Sequence, residues 1–88
     1  MGTARTSPLW HVYMVRCSDQ SLYTGITTDV QRRVNEHNSS KRGARYTKSR
    51  RPVALVRCVT CADVSHAAHI EAKIKKWPKE KKEAWGHA

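Results

Sequence analysis

A chain of 88 residues, 39% of them hydrophobic, has room for one small domain, near the lower limit at which an apolar core holds without cross-links. Its 17 Lys and Arg against 7 Asp and Glu leave a net charge of +10, which speaks to a polyanionic partner, nucleic acid first, and not to the fold. No run approaches the ~20 apolar residues of a membrane span, and the polar stretch Met1 to Ser7 lacks the apolar heart of a signal peptide, so a cytoplasmic protein is expected.

In chain order, residues 1–8 read as a disordered tail ahead of a domain over residues 9–86. The segment Leu9 to Cys17 is β-branched, aromatic or sulfur-bearing and predicts a strand. Ser18-Asp19-Gln20 is a polar turn, and Ser21 to Ile26 is a second short strand, close enough to pair with the first as an antiparallel hairpin. Thr27, Thr28 or Asp29 can cap a helix through Val30 and Val34 to His37 or Asn38. A basic loop, Ser39 to Arg51, ends at Pro52, and Val53 to Thr60 reads as a third strand. Asp63 or Ser65 caps a longer helix with Ala68, Ile70, Ala72 and Ile74 among its apolar positions. Pro78 disfavours helix just before it and suits the first turn of a further one, over Lys79 to Trp85. The expected fold is a small α/β (α+β) domain: a three-stranded antiparallel sheet covered by helices, in the order β-β-α-β-α-(α).

The odd cysteine count, Cys17, Cys58 and Cys61, predicts reduced thiols. Cys58 and Cys61 have the spacing of half a zinc site, but no second pair completes one, and strand-end packing is the expected role.

Between Val12 and Asn38 the chain concentrates chemistry: Tyr13, Tyr23 with Gly25 closing its strand, Arg33 and His37, with Glu71 much further on. Phosphodiester hydrolysis requires an activated water, a fixed cation on the phosphoryl oxygens and help for the leaving oxygen. Arg33 offers a two-pronged permanent charge. Glu71 offers a hard carboxylate for one Mg²⁺ or Mn²⁺, or else an ordinary surface pair with Lys75. Tyr13, Tyr23 or His37 can draw off the water's proton; Arg33 and a metal nearby should lower a tyrosine's pKa, and strand register decides whether the two tyrosines share a face. Each has a plainer reading, as core tyrosines or a packing histidine.

These residues carry a resemblance. His11-Val12-Tyr13 and Tyr23-Thr24-Gly25 stand where the two signatures of the GIY-YIG nuclease superfamily fall, and the chain most resembles its small single-domain bacterial members, the YhbQ-like group. Arg32-Arg33, Glu36-His37-Asn38 and Glu71 match the arginine, histidine and carboxylate positions that follow. His11 replaces a glycine and Thr24 an isoleucine, and neither change removes a side chain the family uses in catalysis. The resemblance implies a one-metal site and weak sequence preference, because larger members take their targeting from added domains.

Arg32, Asn38, Lys41, Arg42, Arg45, Tyr46, Lys48 and Lys75 are the candidate nucleic-acid contacts, with Tyr46 either stacking on a base or tacking its loop to the core. The expected function is a metal-dependent endonuclease of low sequence specificity, DNA ahead of RNA, in DNA repair or processing. The alternatives are a catalytically silent nucleic-acid-binding module and a basic accessory protein of ribosomes.

Overall fold

The computed structural model describes residues 8–87; the expected tail lies, through residue 7, outside the described residues. The elements are β1 (Trp10–Arg16), β2 (Leu22–Thr27), α1 (Val30–Ser39), α2 (Arg45–Lys48), β3 (Ala54–Cys61), α3 (Val64–Lys75) and α4 (Lys79–His87). The sheet order is β2-β1-β3, with β1 antiparallel to both neighbours. The expected three-stranded α+β architecture is the one observed.

Local chemistry sets the joints. In the hairpin turn, Asp19 accepts from the backbone N–H of Ser21 at 3.0 Å, and Gln20 takes the left-handed conformation at φ 72°. Of the capping candidates, Asp29 starts α1 by accepting from the N–H of Arg32 at 3.0 Å, and Asp63 starts α3 by accepting from that of His66 at 2.8 Å. Such caps satisfy amide donors that have no partner within the helix.

Register decides the faces. Tyr13 lies opposite Gly25, and Val15 opposite Tyr23. Paired residues share a side of the sheet, so both tyrosines project from one face, the question the sequence left open. On that face Tyr13, Val15, Cys17 and Val53 are buried, with Val30 and Val34 of α1 packed on them. On the other, Val12, Met14, Cys61, Ala67 and Ile74 form a second core flanked by Trp77 and Trp85. Cys58 and Cys61, three apart on one strand, therefore point to opposite faces; Cys58 is exposed and Cys61 buried, with no shared ligand geometry.

Three expectations need correction. Residues 45–48, read as part of a loop, form the single turn α2, whose first cap, Ala44, makes no side-chain bond and so left no signal. In α3 the core positions are Ala67, Ile70 and Ile74, while Ala68 and Ala72 are exposed. The last helix runs to His87, and Glu83 ties it to β1 by a two-pronged pair with Arg16, at 3.0 and 2.5 Å. Among the described residues no helix is long and apolar enough to cross a membrane.

Candidate active site

The site is built on the Tyr13 face, beneath α1 and α2. Tyr13 crosses directly over Gly25: a Cβ at that position would lie 2.5 Å from the tyrosine hydroxyl oxygen and 2.7 Å from the ring carbon bearing it. Only glycine lets the ring lie flat on β2, which is the physical content of the Tyr23-Thr24-Gly25 segment. The hydroxyl reaches Nε2 of His37, at 2.6 Å, and the histidine's Nδ1 meets Oγ1 of Thr47 at 2.8 Å. All three side chains are within 1% of fully buried. Tyr23 packs edge-on to the His37 ring, with centroids 5.4 Å apart.

Burial governs the titration of this cluster. It pushes the Tyr13 hydroxyl up to about 12, against a weaker opposite pull from the Arg33 guanidinium. Arg33 does pull the value down, as expected, but desolvation of the phenolate outweighs that pull. Burial, with the charges of Arg33 and Arg51, pushes His37 down to about 4. At neutral pH the pair is thus a neutral tyrosine against a neutral imidazole.

A stability prediction follows from the sign of that shift. The unfolded histidine titrates near 6.5 and the folded one near 4, so between those values the unfolded chain binds more protons. The contribution is intact above pH ~6.5 and is lost as pH falls toward 4, by at most about 3 kcal/mol. Urea midpoints measured from neutral pH downward should fall more steeply for the wild type than for His37→Gln. Parallel curves would clear His37 of any part in the acid sensitivity.

Arg33 is half-buried on α1, its Nη1 donating to Oε1 of Glu36 at 3.0 Å and to the carbonyl of Arg42 at 2.6 Å. These bonds hold the guanidinium beside Tyr13. Glu71 projects from α3 near enough that its charge opposes ionisation of Tyr13. Its side chain is 22% exposed and pairs with Lys75 at 3.3 Å; the Lys75 ammonium in turn lies 5.8 Å from the Tyr23 ring centroid.

No group of three or more His, Cys, Asp or Glu side chains capable of holding a metal exists among the described residues. A closed zinc cage is therefore the wrong chemistry. A single accessible carboxylate fits Mg²⁺ or Mn²⁺, which keep waters and take substrate phosphate oxygens as further ligands.

The expected nucleic-acid contacts divide into two groups. Arg32, Lys41, Arg42, Arg45 and Lys48 are exposed along α1, α2 and the loop between them. Asn38 is engaged elsewhere: its amide donates to the carbonyl of Val53 at 2.9 Å and accepts from the Val53 N–H at 2.7 Å, fastening the start of β3 to α1. Tyr46 stacks on Tyr23, with centroids 5.8 Å apart, and the Arg50 guanidinium lies over the Tyr46 ring, 3.9 Å from its centroid. These contacts tie α2 to the sheet, while Tyr46 remains 38% exposed. The histidine that replaces a signature glycine, His11, bonds across β1 and β3 to Oγ1 of Thr60 at 3.0 Å. Sequence reasoning missed Thr47, an uncharged residue inside a basic segment.

Comparison with known proteins accords with this geometry. The model of the GIY-YIG catalytic domain matches residues 9–84. A UPF0213 protein of Desulfotalea psychrophila is 60% identical over 68 residues, which cover 77% of this chain and 62% of that protein. The chain thus spans under two thirds of that relative's length. A UPF0213 protein of Haloquadratum walsbyi is 54% identical over 74 residues, covering 83% of this chain and 81% of its own. The solution NMR structure of a UPF0213 protein from Bacillus halodurans is 39% identical, with a TM-score of 0.55, over 86% of this chain and 80% of that one. A single match running through both signatures, α1 and α3 places this chain in the GIY-YIG family, beside its small UPF0213 members.

Proposed function

We propose that this domain is a divalent-metal-dependent endonuclease, cutting nucleic acid with little sequence preference, DNA ahead of RNA. The observation that carries the reading is the buried contact of the Tyr13 hydroxyl with Nε2 of His37, beside the Arg33 guanidinium. A core tyrosine needs one partner for its hydroxyl, and His37 supplies it; packing does not call for a fixed cation at the same oxygen as well.

The chemistry runs as a relay. As a water oxygen bonds to phosphorus, its proton passes to the Tyr13 oxygen while the Tyr13 proton passes to Nε2 of His37. No free phenolate forms, which suits a hydroxyl raised to about 12. A phosphate seated on Arg33 cancels one of the charges that hold His37 down, so substrate itself makes the imidazole a better acceptor. The bond from phosphorus to the leaving sugar oxygen breaks, and solvent protonates that oxygen. Glu71 would hold the divalent ion, which would supply positive charge against the negative charge that develops in the transition state. Exposed Arg32, Lys41, Arg42, Arg45 and Lys48 grip the backbone on either side, with Lys75 across the site, and none offers a base-reading motif. Low sequence preference suits DNA repair or processing, and three free cysteines suit the cytoplasm.

The test is cleavage of end-labelled duplex, single-stranded, flap and RNA substrates with Mg²⁺, Mn²⁺ or EDTA, alongside Glu71→Gln. Cutting should need the metal and fall by at least about 10²-fold in the variant. Cleavage unaffected by EDTA would overturn the metal's role. The second reading, a silent binding module, draws on the engagement of Arg33 by Glu36 and the Arg42 carbonyl. Salt-sensitive binding with no cutting of any substrate would establish it.

A further inference from the structure

Behind the sheet, on the face away from Tyr13, α3 carries a concentration of basic groups that the site does not use. His66, His69, Lys73 and Lys76 recur every third or fourth residue, and all four are exposed. On a helix they fall within about 80° of one another, in a stripe about 15 Å long. The core positions Ala67, Ile70 and Ile74 flank it, and Glu71 and Lys75 lie beyond them, where Lys75 reaches the Tyr23 ring. The ion pairs of α3 and α4, Glu71 with Lys75 and Glu83 with Lys79 and Arg16, leave Lys73 and Lys76 out.

The charge continues past α3. Arg57 lies opposite Met14, and so on this same face, with its guanidinium 5.1 Å from the Trp85 ring centroid. The Lys81 ammonium lies 4.6 Å from the Trp77 centroid, and the two indoles meet edge to face at 6.3 Å. Both indoles are half-buried against the core, so they hold the two cations at fixed points of the surface. Lys79, Lys81 and Lys82 of α4 outnumber its Glu80 and Glu83.

A protein partner would need an apolar centre here, and a lipid surface an apolar helix face. Among the described residues the exposed large apolar side chains are Leu9, Tyr46, Leu55 and Val64, and none falls in the stripe. Val64, the one on α3, projects about 160° from its centre. Spaced cations without apolar neighbours match a phosphate backbone, which presents a charge about every 1.7 Å of duplex axis. We infer that the α3–α4 side of the sheet is a second nucleic-acid surface, so that one chain holds two duplex segments at once, one at the Tyr13 face and one behind it. This rests on the nucleic-acid reading of the first face and not on any cutting there. Two arms of a branched substrate can then pass on either side of one sheet.

Sedimentation of the full chain with an excess of short blunt duplex, in EDTA at low salt, counts duplexes per chain. Wild type should take up two, and the combined variant Lys73→Gln, Lys76→Gln, Lys81→Gln should take up one. Affinity for the second duplex should fall with salt at a log–log slope of roughly −3 to −4, as expected for Lys73, Lys76, Lys81 and Arg57 on phosphates. One duplex per wild-type chain overturns the inference, whether or not the variant folds. So does a folded variant that still takes up two, or a second duplex indifferent to salt. Polyglutamate that displaces the second duplex and not the first would also overturn it, by showing a general surface for anions. A chain that never cuts yet takes up two duplexes refutes the nuclease and leaves this surface standing; one that cuts and takes up a single duplex does the reverse.

Discussion

Arg33→Ala should lower kcat by about 10²–10³-fold while leaving the fold and most nucleic-acid binding in place. Arg33 is held at one corner by Glu36 and the Arg42 carbonyl, so its charge is already oriented when substrate arrives and loses little freedom on meeting the phosphoryl group. Binding should survive because the exposed cations along α1 and the following loop still follow the backbone. Stability should fall by no more than about 1 kcal/mol, the scale of a half-exposed ion pair. Arg33→Lys should recover only part of the rate, because an ammonium reproduces the charge and not the planar fork. Single-turnover cleavage at saturating protein separates this from a binding defect. Wild-type cutting by Arg33→Ala would remove the arginine from the site.

Tyr13→Phe is the larger perturbation and should cost about 10²–10⁴-fold in kcat, because the water's proton then has no oxygen to pass through. It should also destabilise the fold by about 1–3 kcal/mol, the penalty for leaving Nε2 of His37 buried without its partner. Tyr23→Phe is the control. It keeps the ring that stacks on Tyr46 and sits edge-on to His37, so its loss in rate should be far smaller. Rates measured at substrate saturation, with denaturant midpoints on the same preparations, distinguish the two tyrosines. Equal losses from both would mean that the proton does not leave through Tyr13.

The order of elements was legible because its signals are local: β-branched and aromatic residues for the strands, Asp29 and Asp63 for two helix starts, Pro78 for the break before α4. The register between β1 and β2 is not a local property, and with it went the placing of Tyr13 and Tyr23 on one face. Residues 45–48 gave no sign of helix, since Ala44 cannot cap, so Thr47 passed unnoticed amid the cations around it. The pull of Arg33 on Tyr13 was legible because charge can be counted in a sequence, whereas the burial that outweighs it belongs to the assembled domain. Asn38 shows the same limit: a polar residue in a basic region looks like a substrate contact until its amide is found closing onto Val53.

The deep part of this site and the core beneath it are the same atoms. Tyr13, His37 and Thr47 are buried and bonded to one another, so each holds the domain together whatever else it does. In a lineage that stopped cutting nucleic acid, selection for folding would go on preserving all three. Glu71, on the rim and paired among the described residues with the neighbouring Lys75, has no such protection and would drift first. On the proposed nuclease reading, the carboxylate on α3 would therefore mark a working enzyme among relatives of this chain, and an intact tyrosine–histidine pair without it would be the fossil of one.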